Sequence, residues 1–532
     1  MKKRILFTII ITLLVMLIYY YFVLPPINIS SMAFWSFVIF SLAVFVGSYI
    51  LSNLGFITKI HQIKKTSKFI SIPILTILII VAGIFIVNII CSPVFNAKSY
   101  SKRIIIDESG EFSTDIAEVN FKNLPLLDRE SSEKLGDRVM GQMSDLVSQY
   151  YVSNQYTQIN YNNDIIWVTP FEYADIIKWL TNKKEGIKGY ITVNSVNGES
   201  KLVKLEKGMK FMPSAFFNSN LKRKLRFTYP TEIFGDSRFE IDNEGNPYWI
   251  TPTYSYTGVG LKTKVTGVIM LDPITGNSKK YNIDEVPNWV DNAYDANLII
   301  EQVDDWGNYQ GGFLNSMFGQ KNVVNTTEGY NYLAMHDDIY LYTGITSVLS
   351  DESNLGFILS NMRTGETVLY NVAGAEEYSA MASAEGQVQQ MNYTSTFPLL
   401  INLNNKPTYL VSLKDAAGLV KMYGFVDVTD YQKVVVTDSS KGIEVAAQNY
   451  LDNYAEDVSE DLLIQKEIKI KRVINAIKNG NTHIYITDTD NKKYVISIEL
   501  DENIIFIEEG NNLKIGYYEN NSEIIEVKKI YN

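Results

Sequence analysis

The chain is short of the side chains that usually carry chemistry. Its 532 residues include one cysteine, Cys91, and three histidines, His61, His336 and His483. The long part after Cys91 therefore has no internal disulfide, no catalytic thiol and no cysteine-ligated zinc. It must stand on a hydrophobic core, and at roughly 440 residues it is long enough to do so. A Ser-His-Asp triad would need His336 or His483, and no Gly-x-Ser-x-Gly elbow is present to receive either. The glycines of "NYQGGFLN" lack the lysine and the preceding strand of a phosphate loop. His336-Asp337-Asp338 falls at a hairpin turn, where Asp is a turn former, so no metal site is expected there. Neither metal nor cofactor is expected.

Acidic residues are missing from the N-terminal region. The first 96 residues hold seven Lys or Arg and no Asp or Glu. Within them lie three runs free of charge, Ile5–Leu24, Met32–Leu54 and Phe69–Ile90. Each is long enough to cross a bilayer as a helix, which takes about 20 apolar residues. No small-residue cleavage site follows the first run; Leu24-Pro25-Pro26 does, so all three are expected to be retained. Lys2, Lys3 and Arg4 precede the first run, and Lys59, Lys64, Lys65 and Lys68 lie between the second and third. The positive-inside rule then predicts a cytoplasmic N-terminus, with everything after Pro93 on the other side. With no ionisable residue inside the spans, an anchor is expected rather than a conduction path.

The whole chain carries a net charge of −11; removing the seven N-terminal cations leaves −18 for the rest. A region of that sign should be repelled by anionic membranes and wall polymers, and nucleic acid is not an expected partner. The bilayer and an envelope or membrane protein are.

What the chain does contain is a repeated hairpin. "GVIMLDPITGNSKKYNI" (Gly267–Ile283) and "GFILSNMRTGETVLYNV" (Gly356–Val372) share an alternation, a Thr-Gly turn and a Tyr-Asn close. Each is preceded by a second hairpin, "RFEIDNEGNPYWITP" and "YNYLAMHDDIYLYTG", and by a helix-like segment. "TQINYNNDIIWVTP" with "GYITVNSVNGESKLVKL" gives an earlier copy, and "PLLINLNNKPTYLVS" with "YGFVDVTDYQKVVV" a later one. The aligned turns are Asn197-Gly198, Thr275-Gly276, Thr364-Gly365 and Thr429-Asp430. "SSEKLGDRVMGQMSDLVSQYY" places Leu135, Val139, Met143 and Val147 on one helical stripe.

The predicted fold class is α+β. A membrane anchor (1–94) precedes four units of helix plus four-strand antiparallel meander, at 95–206, 207–284, 285–373 and 374–440. A linker helix (441–463) then leads to a five-stranded small barrel of OB or SH3 type (464–532). Strung out in sequence, the units would make a long, stiff object.

A strand running into an Asp-x-x-Thr-Gly turn after a helix is similar to the PepSY-type repeat of bacterial exported proteins. Asp272-Pro273-Ile274-Thr275-Gly276 and Asn361-Met362-Arg363-Thr364-Gly365 carry the likeness. Asn194-Ser195-Val196-Asn197-Gly198 and Asp427-Val428-Thr429-Asp430 depart from it. The resemblance implies binding or inhibitory work at the cell envelope, and not catalysis.

Candidate functional residues are few. Asp304-Asp305 beside Trp306 has the composition of a glycosidase carboxylate pair next to an aromatic platform, although a Trp on an amphipathic helix is more often a core residue. Tyr254 and Tyr256 share one strand face, either as a peptide or glycan patch or as packing between units. The Gly311-Gly312 interruption, followed by Phe313, Leu314, Met317 and Phe318, reads as an apolar flap or docking segment, or as filler between units. The leading expectation is a non-enzymatic, membrane-anchored binding protein. A hydrolase acting on wall polymer and an accessory subunit of a membrane complex are the alternatives.

Overall fold

The computed structural model describes residues 2–53, 60–121, 124–141, 148–335, 337–347, 353–454, 464–478, 481–517 and 524–531. Leu54, Lys59, Met143, Val147, His336 and the Asn479-Gly480 turn lie outside them.

Apolar composition decides the first segment. Helices α1 (Lys2–Val23), α2 (Met32–Asn53) and α3 (Ile60–Cys91) are each long and apolar enough to cross a membrane. Proline at the first turn starts the short α4 (Pro93–Tyr100), where its missing N–H costs nothing.

The chain forms two compact bodies, Met1–Asn449 and Tyr450–Asn532. In the first, four sheets share one pairing scheme, each preceded by a helix. Helix α5 (Arg129–Gly141) precedes β2 (Tyr150–Val152), β3 (Thr157–Tyr161), β4 (Asp164–Tyr173), β5 (Ile187–Asn194) and β6 (Ser200–Met209), with α6 (Ile176–Asn182) between β4 and β5. Helix α7 (Leu221–Thr228) precedes β7 (Ile233–Phe234), β8 (Arg238–Ile241), β9 (Pro247–Thr257), β10 (Lys262–Leu271) and β11 (Ser278–Asn282). Helix α8 (Ala296–Tyr309) precedes β12 (Val324–Thr326), β13 (Asn331–Met335), β14 (Asp338–Ser347), β15 (Ser353–Asn361) and β16 (Thr367–Tyr370). Helix α9 (Glu377–Gln387) precedes β18 (Thr394–Ser395), β19 (Leu399–Leu403), β20 (Lys406–Lys414), β21 (Val420–Asp427) and β22 (Val434–Asp438). Strand β17 (Gly374–Ala375) adds to β15.

In every sheet the second hairpin strand (β4, β9, β14 or β20) pairs with its hairpin partner at its start. At its end it pairs with a short edge strand. That edge strand is the fifth member that a four-strand meander does not include. Two- and three-residue strands are too short to show alternation, so composition hides them.

The turns explain why the hairpins recur. Backbone N–H groups of Ile274 and Thr275 donate to Asp272 Oδ1, those of Arg363 and Thr364 to Asn361 Oδ1, and those of Val196 and Asn197 to Asn194 Oδ1. Thr429 and Asp430 do the same to Asp427. All four are Asx turns, in which the side chain closes the bend that the backbone needs.

The sheets do not extend in a row. After α4, β1 (Ile106–Gly110) pairs in parallel with β16 of the third sheet, and Glu118 bridges to Asn402 of the fourth. The chain then returns to the first sheet, where α5 packs against β5 and β6. Lys414 of β20 forms an ion pair with Asp128 just before α5. Ser131 Oγ donates to the Gly418 carbonyl (3.3 Å) and Lys134 Nζ to that of Ala417 (2.8 Å). The fourth sheet thus closes back on the first, and the long object expected from the unit order is replaced by a closed set.

In the second body, β23 (Ile464–Lys478) is long enough to serve two partners. Its first part pairs with β26 (Asn512–Tyr517) and its second with β24 (Asn481–Asp488). Strand β25 (Lys493–Ser497) joins β24 to β27 (Ile524–Tyr531), and β27 returns to β26. The curled sheet encloses Ile468, Ile484, Ile486, Tyr494, Ile496 and Ile515.

Candidate functional site at the membrane junction

The ends of the apolar helices are built into the second sheet. Leu24, at φ +56°, turns the chain out of α1, and its carbonyl accepts from Arg226 Nε at 3.0 Å. Arg226, on α7, is buried; Nη1 also donates to the carbonyls of Tyr229 and Glu232, and the guanidinium lies 4.2 Å over the Phe234 ring. Burial lowers its pKa to about 10, so it stays charged at neutral pH, and its Nε and Nη1 donors go to backbone carbonyls. Arg223 Nε donates to the Tyr21 carbonyl, and its guanidinium stacks on that ring at 4.2 Å. In the loop between α1 and α2, Ile27 N donates to the Pro230 carbonyl and Asn28 Nδ2 to that of Thr231.

The tip of the β9–β10 hairpin reaches the other two helices. Asn88, near the end of α3, accepts from Val259 N (2.8 Å) and donates back to its carbonyl (3.2 Å). Gly260 N donates to Ser30, just ahead of α2. Gly258 and Gly260 hold φ +63° and +65°, and a Cβ on Gly258 would stand 2.7 Å from Asn88 Oδ1. Glycine is required at this tip by both conformation and space.

An ionic cluster lies beside it. Arg103, past α4, pairs with Asp305 and, at 3.1 Å, with Glu301, while its Nη2 donates to the Thr263 carbonyl. Lys262 pairs with Glu301 at 2.6 Å and with Asp305 at 3.3 Å. Two cations therefore neutralise two carboxylates, joining β10, α8 and the segment after α4.

The sequence candidates fall around this junction. Asp304 Oδ1 accepts from both N and Oγ1 of Thr326; burial raises its pKa, against those two hydrogen bonds. Asp304 and Asp305 thus serve different partners, as neighbours ~100° apart on a helix must. Trp306 is half-buried against the core of Ile299, Val303 and Ile339. Tyr254 and Tyr256 are half-buried, their phenol pKa values raised chiefly by burial. Phe313 is half-buried as well, whereas Leu314, Met317 and Phe318 are 71%, 57% and 81% exposed.

Met317 and Phe318 sit on a helical turn, Asn315–Gly319, that Leu314 precedes and Gln320 closes in the left-handed region. Asn315 holds it: its carbonyl accepts from Gln320 N, its Nδ2 donates to Lys321 O, and its Oδ1 accepts from Lys321 N. The turn follows α8, whose last residue, Tyr309, packs edge-on against Tyr100 at 5.7 Å. Tyr100 in turn donates its hydroxyl to the carbonyl of Cys91, the last residue of α3.

A second buried polar cluster lies where the first three sheets meet. Glu240 of β8 accepts from the backbone N–H of Asp291 (2.9 Å) and Asn292 (3.1 Å). Asp291 accepts from Asn160 N of β3, and Asn292 Nδ2 donates to the Gln158 carbonyl. Burial raises both carboxyl pKa values; the Glu240 charge raises that of Asp291 further, while the Asp291 and Asn292 N–H groups and Arg238 pull that of Glu240 back down.

Sequence reasoning missed Asn88, Arg103, Arg223, Arg226 and Glu240. The Gly258-Val259-Gly260 tip and the basic run "LKRKLRF" were its available signals; a single Asn in an apolar run gives none. Among the described residues no group of three His, Cys, Asp or Glu side chains is placed to hold a metal. No family model and no curated protein matches the chain.

Proposed function

We propose that the protein is a membrane-anchored, non-enzymatic scaffold or regulatory binding protein of a bacterial cell envelope, with the residues after α3 on the extracytoplasmic side. It would dock a second membrane-associated protein on the Leu314–Phe318 turn. The observation that carries this reading is three large apolar side chains exposed on a hydrogen-bonded turn, next to the helix end that packs on Tyr100. Isolated exposed apolar residues are ordinary, but a shaped cluster of them marks an interaction site. Its surroundings suit a protein better than lipid: Lys321 is the one charged residue in 309–321, too few to draw the segment onto phosphate headgroups. Four like sheets with the same Asx turn support descent from one PepSY-like unit, and the basic N-terminus and Lys-rich 59–68 segment support the orientation.

A wall-directed hydrolase would need two carboxylates free to face one sugar. Asp304 and Asp305 are each occupied elsewhere, so the scaffold reading stands ahead of it.

A photo-crosslinking amino acid at Phe318, activated in intact cells, tests the proposal. One dominant protein adduct is expected, absent when the same residue replaces exposed Lys201. Lipid adducts alone, or the same adducts from both positions, would overturn it.

A further inference from the structure

We infer that α6, α7 and the turn at Phe216–Phe217 form a lipid-facing surface that rests on anionic phospholipid headgroups, extending the anchor sideways from α1. Two observations carry this. The first is exposure joined to the anchor. Ile176, Ile177, Leu180, Phe216, Phe217 and Phe227 are large apolar side chains open to solvent, Ile177 by 66%. Trp179 is buried behind Phe216 and Phe217, at 5.7 Å from each ring, and Phe217 stands at φ +50°, a costly conformation for a bulky residue. Its carbonyl accepts from Arg223 Nη1 (2.7 Å), the arginine stacked on Tyr21. Phe227 lies 6.1 Å from the Tyr20 ring and 6.4 Å from that of Tyr21. The patch is therefore continuous with the last turn of a helix fit to span a bilayer, where aromatic belts sit at headgroup level.

The second observation is charge. Residues 176–184 and 216–228 contain seven Lys or Arg, six of them outside the buried Arg226, within a region whose net charge is −18. They are flanked by Asp175, which caps α6, and Glu185, which pairs with Lys188. Net charge predicts repulsion from an anionic surface. Local charge decides instead, because screening confines the interaction to about 8–10 Å at physiological salt. Lys183 lies over the Trp179 ring at 5.2 Å, and Arg223 also stacks on an aromatic ring, so part of the positive charge sits among the apolar residues. Apolar side chains entering the acyl boundary while cations meet phosphates is the chemistry of an interfacial surface.

The full-length protein, carrying Cys91→Ala and a spin label at Ile177→Cys, would be placed in nanodiscs of phosphatidylcholine with about one third phosphatidylglycerol. Collision with a water-soluble nickel chelate should be at least fivefold lower than for a label at Tyr431→Cys, an exposed position on a turn of the fourth sheet. Lys178→Glu, Lys183→Glu and Lys184→Glu together should raise it severalfold, since each basic residue near an anionic surface contributes about fivefold in partitioning. Pure phosphatidylcholine discs should do the same. These positions are on the surface, and an unchanged melting temperature would show that the fold is kept. Equal nickel access at positions 177 and 431 would overturn the inference, as would protection that ignores both the charge reversal and the lipid. Loss of the Phe318 adduct would leave this result untouched, so the two proposals fail separately.

Discussion

Two clusters in the same body each hold two carboxylates, and they hold them by opposite means. Both are buried at the sheet junction but only Asp305 at the anchor, where the Glu301 side chain is 43% exposed. At the anchor, Glu301 and Asp305 meet Arg103 and Lys262, charge for charge. Where three sheets meet, Glu240 and Asp291 face backbone N–H groups, with Arg238 nearby but committed to Asp295 and the Tyr294 carbonyl. Desolvation is offset by counter-charge in the first case and by hydrogen bonds plus protonation in the second. The difference teaches where pH acts. At the sheet junction burial raises both carboxyl pKa values, so that is the cluster that responds to proton activity.

The largest effect should come from stripping the anchor cluster. Arg103→Ala leaves buried Asp305 dependent on a partly exposed lysine and should cost about 3–5 kcal/mol in unfolding free energy. Adding Asp305→Asn should recover much of that in a double-mutant cycle. Denaturant titration in nanodiscs reads both, and a loss under about 1 kcal/mol would break the comparison.

Next is the junction. The folded Glu240 pKa lies near 7 against 4.5 unperturbed, so the stabilisation tied to its proton is complete below about 4.5 and lost as pH rises through about 7. Asp291, raised too, acts in the same direction, while Arg238, Asp337, Asp338 and Arg363 complete the charged surroundings. The melting temperature should fall across pH 5–8 by the equivalent of about 2–3 kcal/mol, and Glu240→Gln should flatten most of that slope. A wild-type slope unchanged by the substitution would show the proton to be held elsewhere.

The smallest effect sharpens the contrast. Lys262→Ala removes the second, more exposed cation while Arg103 still neutralises Asp305, and should cost about 1 kcal/mol, less at high salt. A loss equal to that of Arg103→Ala would mean that the cluster acts as one unit.

Local patterns in the sequence foreshadowed this molecule and distant ones did not. The three apolar runs became helices, and the alternating stretches around Thr275-Gly276 and Thr364-Gly365 became β10–β11 and β15–β16, because each depends on neighbours a few residues away. Strand β1 was invisible: it is five residues long and pairs in parallel with β16, some 260 residues onward. The contact of Lys414 with Asp128 had no local trace either. At the candidate site, Leu314, Met317 and Phe318 were marked by the glycines before them. Glu240 was one acid among 59, distinguished only by burial that the fold supplies.

The hairpin tip at Gly258–Gly260 has a mechanical consequence. A body tethered to its anchor by a single loop can swivel and change its height above a bilayer. Here α1, α2 and α3 each end against the same sheet, through Arg226, Ser30 and Asn88. Three points fix a plane, so the second sheet has no free pivot on the helix bundle.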